Sequence, residues 1–261
     1  MIDILNNSFG WNVTEFIEYD RIVDYFKNLR KDNEYIVSLD DRIYIENSDF
    51  NYSSTRAYNS MNSILNNPND YKILQRNGLD LKEQNFNLKE SIINSWKKDI
   101  IICDDWLFSW DTLTDVINKE IKDYVKEIRV ILNFSGKEDL NWIPIKSMLE
   151  PTECIDWLDE RDLFYWTKNW WASFKNWVDM NWLPYISSTE IALKKASIPE
   201  KKSKQFCQNM LDLNIDIWSE ISNSLNKVIR LMDLPRISYL EAKYDKKIDI
   251  INILELEKNN I

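Results

Sequence analysis

The chain contains no histidine and only three glycines, Gly10, Gly78 and Gly136, among its 261 residues. Histidine is the commonest general base and a frequent metal ligand. Its absence excludes Ser–His and Cys–His nucleophile pairs and every histidine-containing zinc motif. Three isolated glycines cannot form the Gly-rich loops that hold pyrophosphate in dinucleotide-binding and P-loop proteins. The sequence therefore excludes the classical enzymes of those classes.

The aromatic content predicts a folded protein, and the charge limits its partners. The chain has 12 Trp, 12 Tyr and 10 Phe residues, enough to fill a sizeable core. Lys and Arg number 33 against 43 Asp and Glu, which gives a net charge of −10. Binding of nucleic acid through its phosphates normally needs a basic face, so the sequence argues against non-specific nucleic-acid binding. The excess negative charge favours attraction to a protein with a basic surface.

The distribution of apolar residues and cysteines predicts a soluble, cytoplasmic protein. The first residues lack the basic and apolar stretches of a signal peptide, and no stretch is long enough to span a membrane. The three cysteines, Cys103, Cys154 and Cys207, are odd in number and widely spaced. This pattern is typical of reduced thiols, and we expect no membrane association.

The N-terminal half predicts helices around a small sheet. Apolar spacing favours a helix over Val13–Arg30, and the alternating runs Glu34–Leu39 and Arg42–Glu46 favour a β-hairpin. The apolar runs Asp99–Cys103 and Ile128–Phe134 flank a helical pattern over Leu113–Val125. Strand, helix and strand at this spacing predict a right-handed βαβ unit with parallel strands. Further helices are expected from Ser53 to Leu65, after Pro68, and from Asn87, which resembles a capping residue.

The C-terminal half predicts a helical, tryptophan-rich region. Pro144 and Pro151 bracket a connector, and a Trp-dense helix is expected from about Glu153 to Trp182. A lysine-rich loop around Pro199 then precedes the clearest helix, from about Lys204 to Met232, while the tail over Tyr239–Leu256 favours a strand or a hairpin. The predicted fold is α+β and mostly helical. Its predicted regions are 1–143 and 152–261, either as two domains or as one continuous domain.

Two segments carry residues that could form a functional site. Asp104 and Asp105 follow the predicted strand Asp99–Cys103, and Asp111 is close in sequence. Ligands of open α/β sheets gather at the carboxyl ends of strands, and carboxylates there could hold Mg²⁺ or Mn²⁺ without histidine. Lys137, in the turn after the neighbouring strand, could pair with phosphate. The alternative interpretation is a solvated loop in which Asp111 caps a helix.

The Trp-dense segment is the second candidate. Two apolar stripes cover more than half of the predicted helix, and one of them contains Trp166, Trp170 and Trp177. Tryptophan commonly carries binding energy in protein interfaces. We therefore consider these three residues candidates for partner binding, with core packing as the alternative.

The absence of common catalytic equipment favours a protein-interaction function. The sequence predicts an acidic protein inhibitor or immunity-type factor, of bacterial or phage origin, that binds and blocks a protein partner. No residue is assigned a catalytic role in this interpretation, and no cofactor is expected. The alternative is a metal-dependent enzyme of phosphoryl transfer or hydrolysis that uses Asp104 and Asp105. A subunit of a larger assembly, or an oligomer, is equally compatible with the sequence.

Overall fold

The structure is a computed structural model. It describes residues 1–9, 15–40, 48–58, 63, 66–67, 71–75, 81–107, 113–114, 121–149, 158–165, 172–174, 181–182, 186, 188–234, 240 and 243–261.

Helices and strands are both well represented, so the fold is an α+β mixture as predicted. The α-helices are α1 (Ile2–Phe9), α2 (Tyr19–Leu29), α3 (Leu81–Asn94), α4 (Glu160–Leu163), α5 (Thr189–Lys195), α6 (Glu200–Leu225) and α7 (Ile250–Asn260). The strands are β1 (Glu34–Ser38), β2 (Phe50–Asn51), β3 (Thr55–Tyr58), β4 (Tyr71–Leu74), β5 (Asp99–Leu107), β6 (Val125–Asn133), β7 (Asp139–Leu140), β8 (Ile143–Leu149), β9 (Ala172–Phe174) and β10 (Asn181–Trp182). No helix in the described parts of the chain is long and apolar enough to cross a membrane.

The chain divides into two compact units. One contains residues 17–54 and 73–154, and the other contains residues 1–16, 55–72 and 155–261. The predicted division of the chain into the regions 1–143 and 152–261 stays a prediction.

The unit formed by residues 17–54 and 73–154 is built on a largely parallel sheet. Its six strands lie in the order β2-β1-β5-β6-β8-β7, and β7 alone runs antiparallel to its neighbour. Leu88 and Ile92 of α3 pack with strand residues such as Val37, Ile102 and Val130 in one buried apolar cluster. Strands buried on both faces read as continuous apolar runs, which is why β5 and β6 were recognisable in the sequence.

The other unit combines a small sheet with the C-terminal helices. Its four strands lie in the order β10-β9-β3-β4, and α6 contacts α1, α5 and α7. Asn214, fully buried on α6, accepts a hydrogen bond from the Tyr165 N–H (3.2 Å) and donates to the Leu163 carbonyl (3.1 Å). The turn after α4 is thereby fixed to the long helix, because each buried backbone group there gains a partner.

The first half of the chain departs from prediction at several elements. The expected parallel pairing of β5 and β6 is observed, but residues 115–120 of the helix predicted between them lie outside the described residues. The predicted hairpin partner Arg42–Glu46 lies outside them too. Where helices were expected from Ser53 to Leu65 and after Pro68, the strands β3 and β4 form at Thr55–Tyr58 and Tyr71–Leu74, although Ser63 of the first predicted helix is helical.

Helix boundaries in this half also differ from prediction. The helix α2 begins at Tyr19 rather than Val13, since residues 15–18 are not helical. Asn87 lies inside α3 and not at its start.

The second half departs from prediction more strongly. The connector predicted from Pro144 is the strand β8, in which Pro144 pairs with Asp139 of the edge strand β7. Proline donates no ladder hydrogen bond, and Pro144 lies near the start of β8, before Ile145, where the pairing of β8 with β6 begins. A continuous helix over Glu153–Trp182 is wrong, because this segment contains β9 and β10.

The lysine-rich stretch and the tail are also more helical than expected. Lys194 and Lys195 belong to α5, while Lys201, Lys202 and Lys204 belong to α6, so the loop between the helices is short. The long helix α6 was correctly predicted, although it ends at Leu225, where Asn226 adopts a left-handed backbone conformation. The tail predicted as a strand or hairpin contains α7, which begins at Ile250, directly after the capping residue Asp249.

Candidate functional sites at the two edges of the parallel sheet

Three aspartates lie close together at the carboxyl ends of β1 and β5. Asp40 follows β1. The sequence had placed Asp104 and Asp105 beyond the end of the predicted strand, but both residues lie inside β5. The Leu39 N–H donates to the Cys103 carbonyl (2.8 Å), which brings Asp40 beside Asp104. The sheet extends from β1 to β2 on one side and to β5, β6 and β8 on the other. Such a switch point is where open parallel sheets bind ligands.

Burial and mutual repulsion change the acidity of this group. Asp40 and Asp105 are buried, and Asp104 is partly buried. Loss of hydration raises the pKa of Asp104 well above its ordinary value, and the negative charges of Asp105 and Asp40 raise it further. A carboxyl group with a raised pKa stays protonated to a higher pH than an ordinary carboxyl group does, and a bound cation would favour its ionised form.

Backbone groups already use part of the capacity of these carboxylates. The Asp105 N–H donates to Asp104 Oδ1 (3.0 Å), and the Trp106 N–H donates to Asp105 Oδ1 (2.8 Å). Within the described residues, no group of three or more acidic or cysteine side chains is arranged to hold a metal ion. Asp111, the third predicted ligand, lies outside the described residues. The metal site predicted at Asp104 and Asp105 stays a prediction.

The turn after β6 is closed by its own side chains. Asn133 Nδ2 donates to the Lys137 carbonyl (2.7 Å), and its Oδ1 accepts from the Ser135 N–H (3.1 Å) and hydroxyl (2.6 Å). Gly136 supplies the positive φ of 66° that this turn requires. The Lys137 side chain is exposed, so it remains compatible with the predicted pairing to an anion.

A buried ion network crosses the same sheet. Arg129 of β6 donates to both carboxylate oxygens of Glu34 on β1 (3.0 and 2.7 Å) and to Glu127. Burial alone would lower the pKa of Arg129, but the hydrogen bonds and charges of the two glutamates raise it. Glu127 also pairs with Lys146 of β8 (2.5 Å). Because its charges are paired and hydrogen-bonded, this network has a structural role.

The amino edge of the sheet, where β5, β6 and β8 begin, displays an unusual tryptophan. Asn141 and Trp142 form the two-residue loop between β7 and β8, and both have positive φ, 50° and 73°. Hairpins of this kind favour glycine at such positions, because a side chain with positive φ is strained. The Trp142 side chain is nevertheless 92% exposed. Its backbone N–H donates to Asp139 Oδ1 (3.2 Å). The fold therefore presents a large aromatic ring to solvent in a strained backbone conformation.

Two other exposed aromatic residues precede neighbouring strands at this edge. Trp96, 70% exposed, lies just before β5, and Tyr124, 49% exposed, immediately precedes β6. The register that pairs Ile128 with Ile145 places the start of β8 beside Lys126, two residues after Tyr124. Neighbouring strands are about 4.8 Å apart, so the segments that carry these aromatic residues lie side by side.

The sequence did not single out the amino edge. Trp142 could have been recognised from the Asn141-Trp142 pair between two short apolar runs, since asparagine is common in tight hairpins. Glu127 and Arg129, charged residues inside the apolar run of β6, were a signal for the ion network. Trp166, Trp170 and Trp177, the predicted partner-binding residues, lie outside the described residues, so their role stays a prediction.

Comparison of the chain with protein-family models, with curated proteins and with solved structures finds no match.

Proposed function

We propose that this chain is a protein-interaction factor, an acidic inhibitor or immunity-type protein that binds and blocks a protein partner in the cytoplasm of a bacterium or in phage infection. The observation that carries the proposal is Trp142. A tryptophan that is 92% exposed at a positive φ costs stability and contributes little packing. Binding is a use that offsets such a cost, because tryptophan is among the residues that most often dominate interface energies.

Charge and residue composition support the same proposal. The net charge of −10 favours encounter with a protein of net positive charge, since unlike charges attract over about 10 Å at 0.1 M salt. The chain lacks histidine, which removes the commonest catalytic base. Trp166, Trp170 and Trp177 remain candidates for an additional part of the interface.

The proposal is tested by affinity capture with variants of Trp142. The tagged chain, Trp142→Gly and Leu225→Ala are used as baits in lysates of cells that carry the gene, and bound proteins are quantified by mass spectrometry. Leu225 is 63% exposed on α6 and serves as a control for the loss of a large exposed apolar side chain elsewhere. We expect a protein that the unmodified chain and Leu225→Ala retain but Trp142→Gly loses at least tenfold.

The same experiment extends to the proposed blocking function. The captured protein is purified, and its own activity is measured with increasing amounts of the chain. Inhibition by the unmodified chain but not by Trp142→Gly supports a blocking factor. Equal capture by all three baits would remove Trp142 from the interface and leave the proposal without its main support.

A second candidate function rests on the aspartates at the switch point. The raised pKa of Asp104 beside Asp105 and Asp40 favours a metal-dependent enzyme of phosphoryl transfer or hydrolysis that uses Mg²⁺ or Mn²⁺. A cation bound only by the folded chain would raise the melting temperature. Millimolar Mg²⁺ or Mn²⁺ should do so in the unmodified chain and not in Asp104→Asn or Asp105→Asn. The absence of any shift would exclude this candidate at those concentrations.

A further inference from the structure

The tip of the β7–β8 hairpin holds a carboxylate beside the exposed indole. Asp139 Oδ1 lies 3.2 Å from the backbone nitrogen of Trp142. The nitrogen and Cβ of one residue are about 2.5 Å apart, so the indole side chain begins within about 6 Å of that carboxylate oxygen. Both side chains are exposed. A group supplied by a partner can therefore contact the carboxylate and the aromatic ring at the same time.

The carboxylate of Asp139 offers a negative charge to such a partner. The group that it accepts from is a neutral N–H, so Asp139 stays ionised at neutral pH. Within the described residues, no cation forms an ion pair with it. Lys126 lies on β6, and β8 separates β6 from β7. The backbones of Lys126 and Asp139 are therefore about two strand spacings, or about 10 Å, apart.

The rest of the hairpin does not reverse this charge. Glu138, which is also exposed, and Asp139 are the only charged residues between Lys137 and Lys146. Lys146 is already paired with Glu127 (2.5 Å). The charged side chains nearest the tip are thus acidic, in agreement with the net charge of −10.

The hairpin also keeps the carboxylate in place. The Ile145 N–H donates to the Glu138 carbonyl (2.9 Å), and Asp139 lies opposite Pro144 in the next pair. Such a pair, without its own ladder hydrogen bonds, brings its side chains close together. The ring of Pro144 fixes its φ. A site that is ordered before binding loses less conformational entropy when a partner is bound.

From this geometry we infer that the hairpin tip binds an arginine side chain of the protein partner, which stacks on the Trp142 ring and donates hydrogen bonds to the Asp139 carboxylate. The inference rests on the proposed function and adds the residue type that the partner contributes. A guanidinium group is planar, so its face can stack on an aromatic ring while its N–H groups bind a carboxylate. The ammonium group of lysine has no such face, and arginine therefore matches the tip better.

This assignment makes the long-range and the local electrostatics agree. The negative net charge favours encounter with a positively charged protein, and Asp139 and Glu138 then present negative charge at the point of contact. The same two carboxylates would repel the phosphates of a nucleic acid. A basic protein is thus the occupant that the charges favour.

Removal of the charge at Asp139 is the first test. Asp139→Asn keeps an oxygen that can accept the Trp142 N–H, but it leaves the guanidinium without a counter-ion. We expect this variant to bind the partner at least tenfold more weakly than the unmodified chain. Asp24→Asn is the matched control, since Asp24 is exposed on α2 and the change in charge is equal. The probe is the purified protein that the unmodified chain captures and Trp142→Gly loses, and calorimetric titration measures its affinity.

The chemistry of the ring is tested by Trp142→Tyr and Trp142→Leu. Both variants keep a large side chain at the same backbone position, but only tyrosine keeps an aromatic face that attracts a cation. We expect Trp142→Leu to weaken binding at least tenfold and Trp142→Tyr to weaken it less. An apolar pocket in the partner would instead accept leucine as well as tyrosine. Circular dichroism confirms that each variant is folded before its affinity is compared.

The arginine itself is located by chemical modification of the partner. Phenylglyoxal modifies exposed arginines and acetic anhydride modifies lysines, and mass spectrometry compares the partner alone with the partner saturated by the unmodified chain. We expect at least one arginine to be protected in the complex. Its replacement by lysine should weaken binding to the unmodified chain about tenfold and binding to Asp139→Asn much less, because interacting residues give non-additive changes.

The outcomes separate this inference from the proposed function. If no protein depends on Trp142, the proposed function and this inference both fail. If a protein depends on Trp142 but binds Asp139→Asn as tightly as it binds the unmodified chain, only this inference is overturned. Binding of Trp142→Leu as tight as that of Trp142→Tyr would overturn it in favour of an apolar contact. Protection of lysines in the partner without any arginine would overturn it in favour of an ammonium group.

Discussion

Individual residues in this fold are held in conformations or environments that cost stability. Trp142 has a positive φ without being glycine, and Asp104 is a carboxylic acid beside two others. Strain and crowded charge persist in a protein when the surrounding structure compensates for them, and they are concentrated at functional sites. For each of the two residues we therefore predict that a substitution that relieves the strain or removes the ionisable group increases stability.

Trp142→Gly should increase the free energy of unfolding by about 1 kcal/mol. Glycine adopts positive φ without strain, and an indole that is 92% exposed loses little packing when removed. Urea unfolding followed by circular dichroism measures the change. Asn141→Gly is the control, and its gain should be smaller because asparagine tolerates this conformation. A loss of stability in Trp142→Gly would mean that the indole ring packs against the protein.

Asp104→Asn should raise the melting temperature at pH 7, and the gain should disappear near pH 4. The folded-state pKa of Asp104 lies above its unfolded value of about 3.9. Its contribution to stability is therefore fully present below that value and is lost as pH rises through the folded pKa. Asparagine does not ionise and avoids this loss. Thermal unfolding from pH 4 to 8 measures the difference from the unmodified chain.

The control for this prediction is Asp123→Asn, which removes one exposed negative charge. It should give no comparable gain at pH 7. A lower melting temperature in Asp104→Asn at pH 7 would show that the fold stabilises ionised Asp104. Reversal of that result by a chelator would identify a bound cation as the cause.

Secondary-structure elements were predictable where one local pattern dominated. The apolar, β-branched runs of β5 and β6 and the helical spacing of α6 were recognised, because burial on both faces or on one stripe imposes these patterns. The strand β5 was predicted too short, since Asp104 and Asp105 do not resemble strand residues. Its continuation to Leu107 depends on pairing with β6, a contact made far along the chain.

Elements were predicted wrongly where the sequence pattern fitted both a helix and a strand. Phe174 belonged to a predicted helical stripe with Trp166, Trp170 and Trp177, but aromatic residues also favour strands, and β9 forms at Phe174 by pairing with β3. The candidate carboxylates were identified from the sequence, whereas Asp40 joined them only through the β1–β5 pairing. The exposed aromatic residues at the amino edge, Trp96, Tyr124 and Trp142, could not be predicted to lie together, because they come from the starts of three separate strands.

The ion network links three strands, so its loss should be costly. Arg129→Met leaves the buried carboxylate of Glu34 without its charged partner and with the Lys31 N–H (2.8 Å) as its remaining donor. We expect the free energy of unfolding to fall by about 3–5 kcal/mol. Denaturant unfolding measures this loss. The double variant Glu34→Gln/Arg129→Met removes the unpaired charge and should recover part of it. If the double variant loses as much free energy of unfolding as Glu34→Gln and Arg129→Met lose in sum, the pair does not interact.

At the scale of the whole molecule, neither compact unit is continuous in sequence. The segment 55–72 belongs to one unit, while residues on both sides of it belong to the other, and β4 contains the boundary at Lys72 and Ile73. Both ends of the segment 55–72 are therefore joined covalently to residues of the other unit. Unfolding of one unit would therefore lengthen the loop that the other must close, at an entropic cost. This connectivity favours coupled unfolding of the two units.

The buried cysteines allow coupled unfolding to be measured in both units at once. Cys103 lies in β5 and Cys207 in α6, both as free thiols. Burial raises the pKa of both thiols, that of Cys207 to about 12, so neither should react with iodoacetamide in the native protein at pH 8. Labelling is quantified for each cysteine by mass spectrometry across a urea series. We expect the two labelling midpoints to coincide. In full denaturant without reductant, Cys154 should also be labelled, because the sequence predicts that all three cysteines are reduced. Labelling of Cys207 at a urea concentration that leaves Cys103 protected, or the reverse, would show that the units unfold independently and would restore two separate domains as the better description.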